Sequence, residues 1–254
     1  MAERPVFFPR FDAVGVSERY HEFEWFPGFA PSQKRKCVAA LHDAVRREKP
    51  DARVLEVSRR SETEAGVALS AFNLKLPVGG VPCSVESVFQ ASKVFVCLAK
   101  DELDAPIRLS FEMHEALGNC TGPFPELYPR DPREVRRIVR ERSDDCTVFI
   151  RIMDYVDEKP ACHRLSSFKL DGVRWPLEPK TAFYDWLYLN ALKANPELAA
   201  AVETYDAFTD IEFNPDRSLN CQARSAALWI SLRHAGLLDE ALSSREAFLR
   251  IHPA

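Results

Sequence analysis

The chain has 254 residues, a formal net charge of −4, 46% hydrophobic and 28% charged residues, an ordinary globular composition long enough to bury a sizeable core. No stretch approaches the ~18–20 consecutive apolar residues of a membrane span, and the opening MAERPVFFPR lacks the apolar run of a secretory signal, so a cytoplasmic protein with no membrane partner is expected. The negative balance excludes a protein that coats nucleic acid through its whole surface and leaves only a local basic patch open.

Residues 1–30 combine Pro5, Pro9 and Pro27 with Phe7, Phe8, Phe23, Trp25 and Phe26, which predicts an extended arm that packs by its aromatics. Ser32 is placed to cap a helix to about Arg47 with Cys37, Leu41, Ala44 and Val45 inward. The two elements make an N-terminal region over 1–52, ahead of a larger domain over 53–254. RVLEV at 53–57 alternates as a strand, RRSETEAG is a polar loop, and LKLP and VPCS flank Val78-Gly79-Gly80 as a short hairpin.

Ser84 to Ala99 then reads as a nearly all-apolar helix carrying one polar stripe. Glu86, Gln90 and Lys93 fall at i, i+4 and i+7 and so share a narrow arc. A carboxylate among apolar flanks is costly unless paired or set in a cleft. The stripe is therefore either a pocket wall or a set of ordinary surface polar residues.

The segment from 97 to 150 is an elaboration that pattern does not place, except for one helix announced by Asp131-Pro132-Arg133-Glu134 and running to about Arg142. Its Arg133, Arg136, Arg137 and Arg140 suit a DNA phosphate backbone; a solvated face balanced by Glu134, Glu141, Asp144 and Asp145 is the other account. CTVFIRIM at 146–153 reads as a strand and 167–175 as a hairpin turning at Asp171-Gly172. Thr181 caps a helix to about Ala194, and a second helix runs from Pro196 to about Tyr205. FTDIEF is a strand, NPDRSLN a loop, CQARSAALWISLRHA a helix closed by Gly236, and LDEALSSREAFLRI a last amphipathic helix. The fold class that follows is α+β: a helix-rich single globular domain with short hairpins or a small sheet.

Glycine-rich phosphate loops, G-x-S-x-G and H-E-x-x-H are absent. The seven cysteines are odd in number and never form C-x-x-C, and the six histidines lack ligand spacing; reduced, mostly buried thiols and neither metal nor cofactor are expected. Carboxylates and carboxamides gather instead at Asp210, Glu212, Asn214, Asp216 and Asn220, with Tyr184, Trp186 and Phe208 near in the pattern. Trp186 fits a core position and a stacking platform equally well.

ALSAFNLKLPVGGVPCSVESVFQASKVF resembles the NADAR domain signature, in which a Ser-Asn-Phe-type loop leads through a hairpin into a Ser-x-Glu-x-x-x-Gln-x-x-Lys helix. Here Ser70, Ala71 and Phe72 form the loop, with Asn73 just beyond, and Ser84, Glu86, Gln90 and Lys93 the helix. RWPLEPKTAFYDWLYLNAL and YDAFTDIEFNPDRSLNCQARSAALWISLRHAGLL are similar to the NADAR antitoxins paired with DNA ADP-ribosyltransferase toxins. The resemblance covers 53–95 and 165–242 and fades between 97 and 150. It implies an N-glycosidase that needs no cofactor and removes ADP-ribose from guanine in DNA, preferably single-stranded, as antitoxin to a cognate toxin. Glu86, Lys93 and Asp210 would carry catalysis. Ser70, Phe72, Asn73, Gln90, Tyr184, Trp186, Asn214, Asp216 and Asn220 would bind ADP-ribose and base. An N-glycosidase acting on a ribosylated flavin-pathway intermediate, and a non-catalytic ADP-ribose, DNA or toxin binder, are the alternatives.

Overall fold

The computed structural model describes residues 1–28, 30–98, 120–153, 162–216 and 218–253. Within them the expected α+β class is observed, as helices with small sheets, and no helix is long and apolar enough to cross a membrane. The chain forms two compact units, Met1–Val85 with Glu178–Ala254, and Glu86–Leu177.

In the first unit the aromatic arm is a hairpin. Strands β1 (Ala2–Pro9) and β2 (Val16–Phe23) pair antiparallel over their whole length. β1 then meets β10 (Ala207–Thr209) at Phe7 and Phe208, and β10 runs parallel to β3 (Val54–Glu56), giving the order β2-β1-β10-β3. Helix α1 (Pro31–Glu48) covers this sheet with Val38, Leu41 and Val45, against Val6, Phe8, Phe23 and Val54. Its N-cap is Ala30 with Pro31 at the first position, not the expected Ser32, because proline fixes the entry dihedral without needing a side-chain cap.

Helix α2 (Glu64–Ala68) is capped by Thr63, whose Oγ1 accepts from the Gly66 amide at 3.1 Å. Strands β4 (Lys75–Val78) and β5 (Val81–Ser84) form the expected hairpin, turning on Gly79 and Gly80 at φ of 56° and 79°, the positive values that a two-residue turn demands.

In the second unit helix α3 is only Val85–Ala91, so the long helix to Ala99 is corrected. Lys93 opens strand β6 (Lys93–Leu98), which pairs with β8 (Cys162–Leu170). The run Lys-Val-Phe-Val is β-branched and aromatic, and cross-strand pairing outweighs the helical period there. β7 (Cys120–Thr121) and β9 (Val173–Trp175) complete the order β7-β6-β8-β9, with Asp171-Gly172 as the expected turn.

Helix α4 (Pro132–Met153) includes the stretch read as a strand at 146–153. Cys146, Phe149, Ile150 and Met153 repeat at three and four, which continues the period of the buried Val135 and Val139. Local β-propensity yields to that longer pattern. Residues 99–119, within the elaborated segment, lie outside the described residues.

The remaining helices of the first unit are α5 (Ala182–Lys193), α6 (Pro196–Val202), α7 (Gln222–His234), α8 (Leu238–Ala241) and α9 (Arg245–Ile251). The expected last helix is two, because Ser244 caps α9 by accepting from the Ala247 amide at 3.1 Å. Thr181 does precede α5, but its Oγ1 donates to Asp185 Oδ2 at 2.7 Å instead of accepting from a backbone amide. Asp185 is 1% exposed and also takes Arg224 Nη1 at 2.7 Å, Ser225 Oγ at 2.6 Å and His252 Nε2 at 2.9 Å. Burial works to raise this carboxyl, yet His252, Arg224 and Ser225 together hold it below the usual carboxylate range.

Gly66 packs without room for a side chain: a Cβ there would run into Ser61 Oγ and the Glu56 carbonyl oxygen. Gly66→Ala should therefore destabilise the protein by about 1–3 kcal/mol, read as a lower midpoint in thermal or urea unfolding. An unchanged midpoint would mean that the loop gives way freely.

Candidate functional site

The expected site residues fall into two groups, one in each unit. In the second unit, α3 and the start of β6 hold Glu86, Gln90 and Lys93 together although the helix between them ends early. Gln90 Nε2 donates to Glu86 Oε1 at 2.7 Å, and Lys93 Nζ donates to Gln90 Oε1 at 2.6 Å. Arg136 of α4, expected as a DNA contact, donates from Nε to the same Glu86 Oε1 at 2.6 Å. Glu86 is 4% exposed, so this charge-assisted bond offsets part of the cost of burying the carboxylate. Both bonds end on Oε1, which leaves Oε2 with no hydrogen bond from a described residue. Burial pushes the Lys93 ammonium down, with Glu86 opposing that shift and Arg136 adding to it.

Of the other arginines on α4, Arg137 pairs with Glu141 at 2.8 Å. Arg133 and Arg140 are exposed and have no ion-pair partner among the described residues.

In the first unit the loop Ser70-Ala71-Phe72 is fixed from below. Tyr188 Oη donates to the Leu69 carbonyl at 2.9 Å, and the Ala71 amide donates to Gln222 Oε1 at 2.7 Å. Gln222 Nε2 in turn donates to Asp210 Oδ2 at 3.0 Å, while Oδ1 accepts from the Glu212 amide at 3.0 Å. The Ala71 amide thus fixes which way the Gln222 carboxamide faces. Ser70 is buried, and Asn73 spends its side-chain amide on the Val67 carbonyl at 2.9 Å. Asn73 also lines a shallow cleft of about 350 Å³ with Ser61, Thr63 and Val67.

Tyr184 is buried and stacked with Tyr188 at 6.5 Å between ring centroids, whereas Trp186 is half-buried. Tyr184 thus sits in the core and Trp186 is the more accessible ring. Asn214 Oδ1 accepts from the Asp216 amide at 3.0 Å, and the Asn220 carbonyl from Ser218 Oγ at 3.3 Å, so these residues shape their own loop.

Sequence reasoning missed Glu56. It is 2% exposed on β3 and accepts from Ser58 Oγ at 2.5 Å, Thr209 Oγ1 at 2.7 Å and the Ile211 amide at 2.9 Å. An acid inside the apolar run Val54-Leu55-Glu56-Val57 was the available signal. Thr209 Oγ1 also lies 2.9 Å from His42 Nε2, and burial, with Arg46 adding to it, brings that imidazole down to about 4, so it is neutral at neutral pH. Burial raises the Glu56 carboxyl and raises Asp210 further, each of the acids of this cluster repelling the next.

The family described as DarT1-associated NADAR antitoxin matches this chain over residues 2–98 and 157–254. The chain is a member of that antitoxin family. The match omits 99–156, close to the stretch in which the NADAR resemblance fades. No curated protein matches the antitoxin chain. Among the described residues no group of three or more His, Cys, Asp or Glu is arranged to hold a metal ion.

The raised Glu56 and Asp210 carboxyls give the antitoxin a definite pH response. Acids raised on folding contribute stability that is fully present below the ordinary carboxylate value, about 4, and is lost as pH rises through the folded values. Each pH unit between folded and unfolded values corresponds to about 1.4 kcal/mol. Asp210→Asn should thus gain stability relative to the parent as pH is raised from about 4 to 8, in urea unfolding at each pH. A constant difference across that window would mean that folding does not raise the Asp210 carboxyl.

Proposed function

We infer that this antitoxin is an ADP-ribosyl-DNA hydrolase, an N-glycosidase that removes ADP-ribose from guanine in DNA and so reverses the mark of a cognate DarT-type toxin. Membership of the antitoxin family supports the reading. The observation that carries it is the buried Glu86 carboxylate, fixed through one oxygen by Gln90 and Arg136.

Breaking the C1′–N bond sends its electron pair to the guanine nitrogen and leaves oxocarbenium character at the ribose. A preorganised carboxylate stabilises that developing charge and can orient water for attack on C1′. The water oxygen bonds to C1′ and its proton replaces the ribosyl group on the base. Glu86 is given the first role. Lys93, bonded to Gln90, acts on Glu86 through that amide or takes a ribose hydroxyl. Asp210, in the first unit, has its proton affinity raised by burial and is the second carboxylate to substitute in testing this reading.

The assay is release of ADP-ribose from a mono-ADP-ribosylated oligonucleotide. Glu86→Gln keeps an oxygen for both donors and removes the charge, so release should fall by ~10²–10³-fold in a protein that still folds. Near-normal release would remove Glu86 from the mechanism, and binding without any release by the parent protein would make it a reader.

A modified guanine inside a duplex must be unstacked at a cost of a few kcal/mol, so single strands should be the preferred substrate. Charge reversal at the exposed Arg133 and Arg140, seven residues apart on one face of α4, tests whether the strand runs there. A loss of kcat/KM and a shallower salt dependence are expected; unaltered values for both would leave that face simply solvated.

A further inference from the structure

We propose that Arg59 and Arg60 form a clamp for the diphosphate of a nucleoside-diphosphate ribose, an inference that rests on the hydrolase reading above. The two guanidinium groups share one carboxylate: Arg60 Nε donates to Glu212 Oε1 at 3.1 Å, and Arg59 Nε stands 3.6 Å from Glu212 Oε2. The cluster therefore carries one positive charge more than its internal partner neutralises. Arg59 makes no hydrogen bond to any described residue, and its Nε is buried without an acceptor, an expensive state for a charged donor unless a ligand completes it.

The Arg59 guanidinium lies 4.4 Å from the centroid of the Phe72 ring. Stacking of that kind orients the guanidinium plane and leaves its edge N–H groups for acceptors lying in that plane. Both arginine side chains are only 27–28% exposed, so their charges are neither fully hydrated nor sealed. The neighbouring Glu56 and Asp210 hold protons more readily than ordinary carboxyls, which lessens the negative charge competing for the same guanidinium groups. A diphosphate presents paired non-bridging oxygens that match two forks at once, which a single carboxylate cannot. The placement beside Phe72 puts this anion site on the NADAR signature loop.

Calorimetric titration of the full chain with ADP-ribose, inorganic pyrophosphate and an unmodified oligonucleotide tests the clamp. ADP-ribose and pyrophosphate affinities should each fall by at least ~10-fold in Arg59→Gln and in Arg60→Gln. They should rise severalfold in Glu212→Gln, which frees both arginines from their internal competitor, a gain that a merely structural cluster would not produce. Arg59→Lys keeps the charge without the fork and should recover only part of the affinity, with thermal unfolding confirming the fold of each variant. Folded arginine variants that bind pyrophosphate like the parent, or that lose only the unmodified oligonucleotide, overturn the clamp. If those variants also release ADP-ribose from DNA normally, the hydrolase reading stands alone. If the parent binds ADP-ribose through the arginines but releases none from DNA, the clamp stands and the hydrolase reading falls.

Discussion

The first unit depends on one buried carboxylate. Glu56 ends β3 where it lies parallel to β10, and it takes the Thr209 hydroxyl, the Ile211 amide and the Ser58 hydroxyl together. Those three donors come from the end of one strand and from the loops that follow both, so a single side chain sets the path of two loops at once. An apolar residue there would leave the Ile211 amide and two hydroxyls buried without acceptors, each costing about 1–3 kcal/mol. From this anchor the chain passes on one side to Arg59 and Arg60, and on the other to Asp210 and Glu212.

Buried acids in this protein are treated in two opposite ways. Asp185 receives a guanidinium, an imidazole and two hydroxyls and is held low, which suits a permanent tie between α5, α7 and the C-terminal end of α9. Glu56 and Asp210 receive neutral donors only and repel one another. The first arrangement fixes charge, whereas the second keeps protons exchangeable. Buried acids without a cationic partner are the ones whose protonation can change during a reaction. In the second unit Glu86 also meets a guanidinium, that of Arg136, with one oxygen committed and the other not hydrogen-bonded by any described residue.

Arginine is used unevenly for the same electrostatic reason. Arg137 and Arg142 meet Glu141 and Glu126 on the surface, pairs worth little in water. Arg136 is drawn to a nearly buried acid and thereby leaves the set available to a strand. Arg59 is stacked on an aromatic and left with an unsatisfied donor. A net charge of −4 says nothing about this distribution, because recognition of an anion depends on the few cations without internal partners.

The sequence by itself determined the α+β class, the family, the Gly79-Gly80 and Asp171-Gly172 turns, and the grouping of Glu86, Gln90 and Lys93. Each of these rests on a local rule: positive φ at a two-residue turn, or a spacing that survives whether Lys93 ends a helix or begins a strand. Only the tertiary structure decided that Val94 and Phe95 belong to a sheet, that 146–153 is helical, and that Arg136 serves Glu86. It also decided that Gln222 holds the signature loop, that Arg59 lies over Phe72, and that Glu56 and Arg60 find their partners around Thr209, Ile211 and Glu212. Their partners lie up to about 150 residues away in the chain, as Ala71 and Gln222 do at a separation of 151. Hydrogen-bond partnership over such distances is set by how strands pair and where burial removes water, and no periodicity records it.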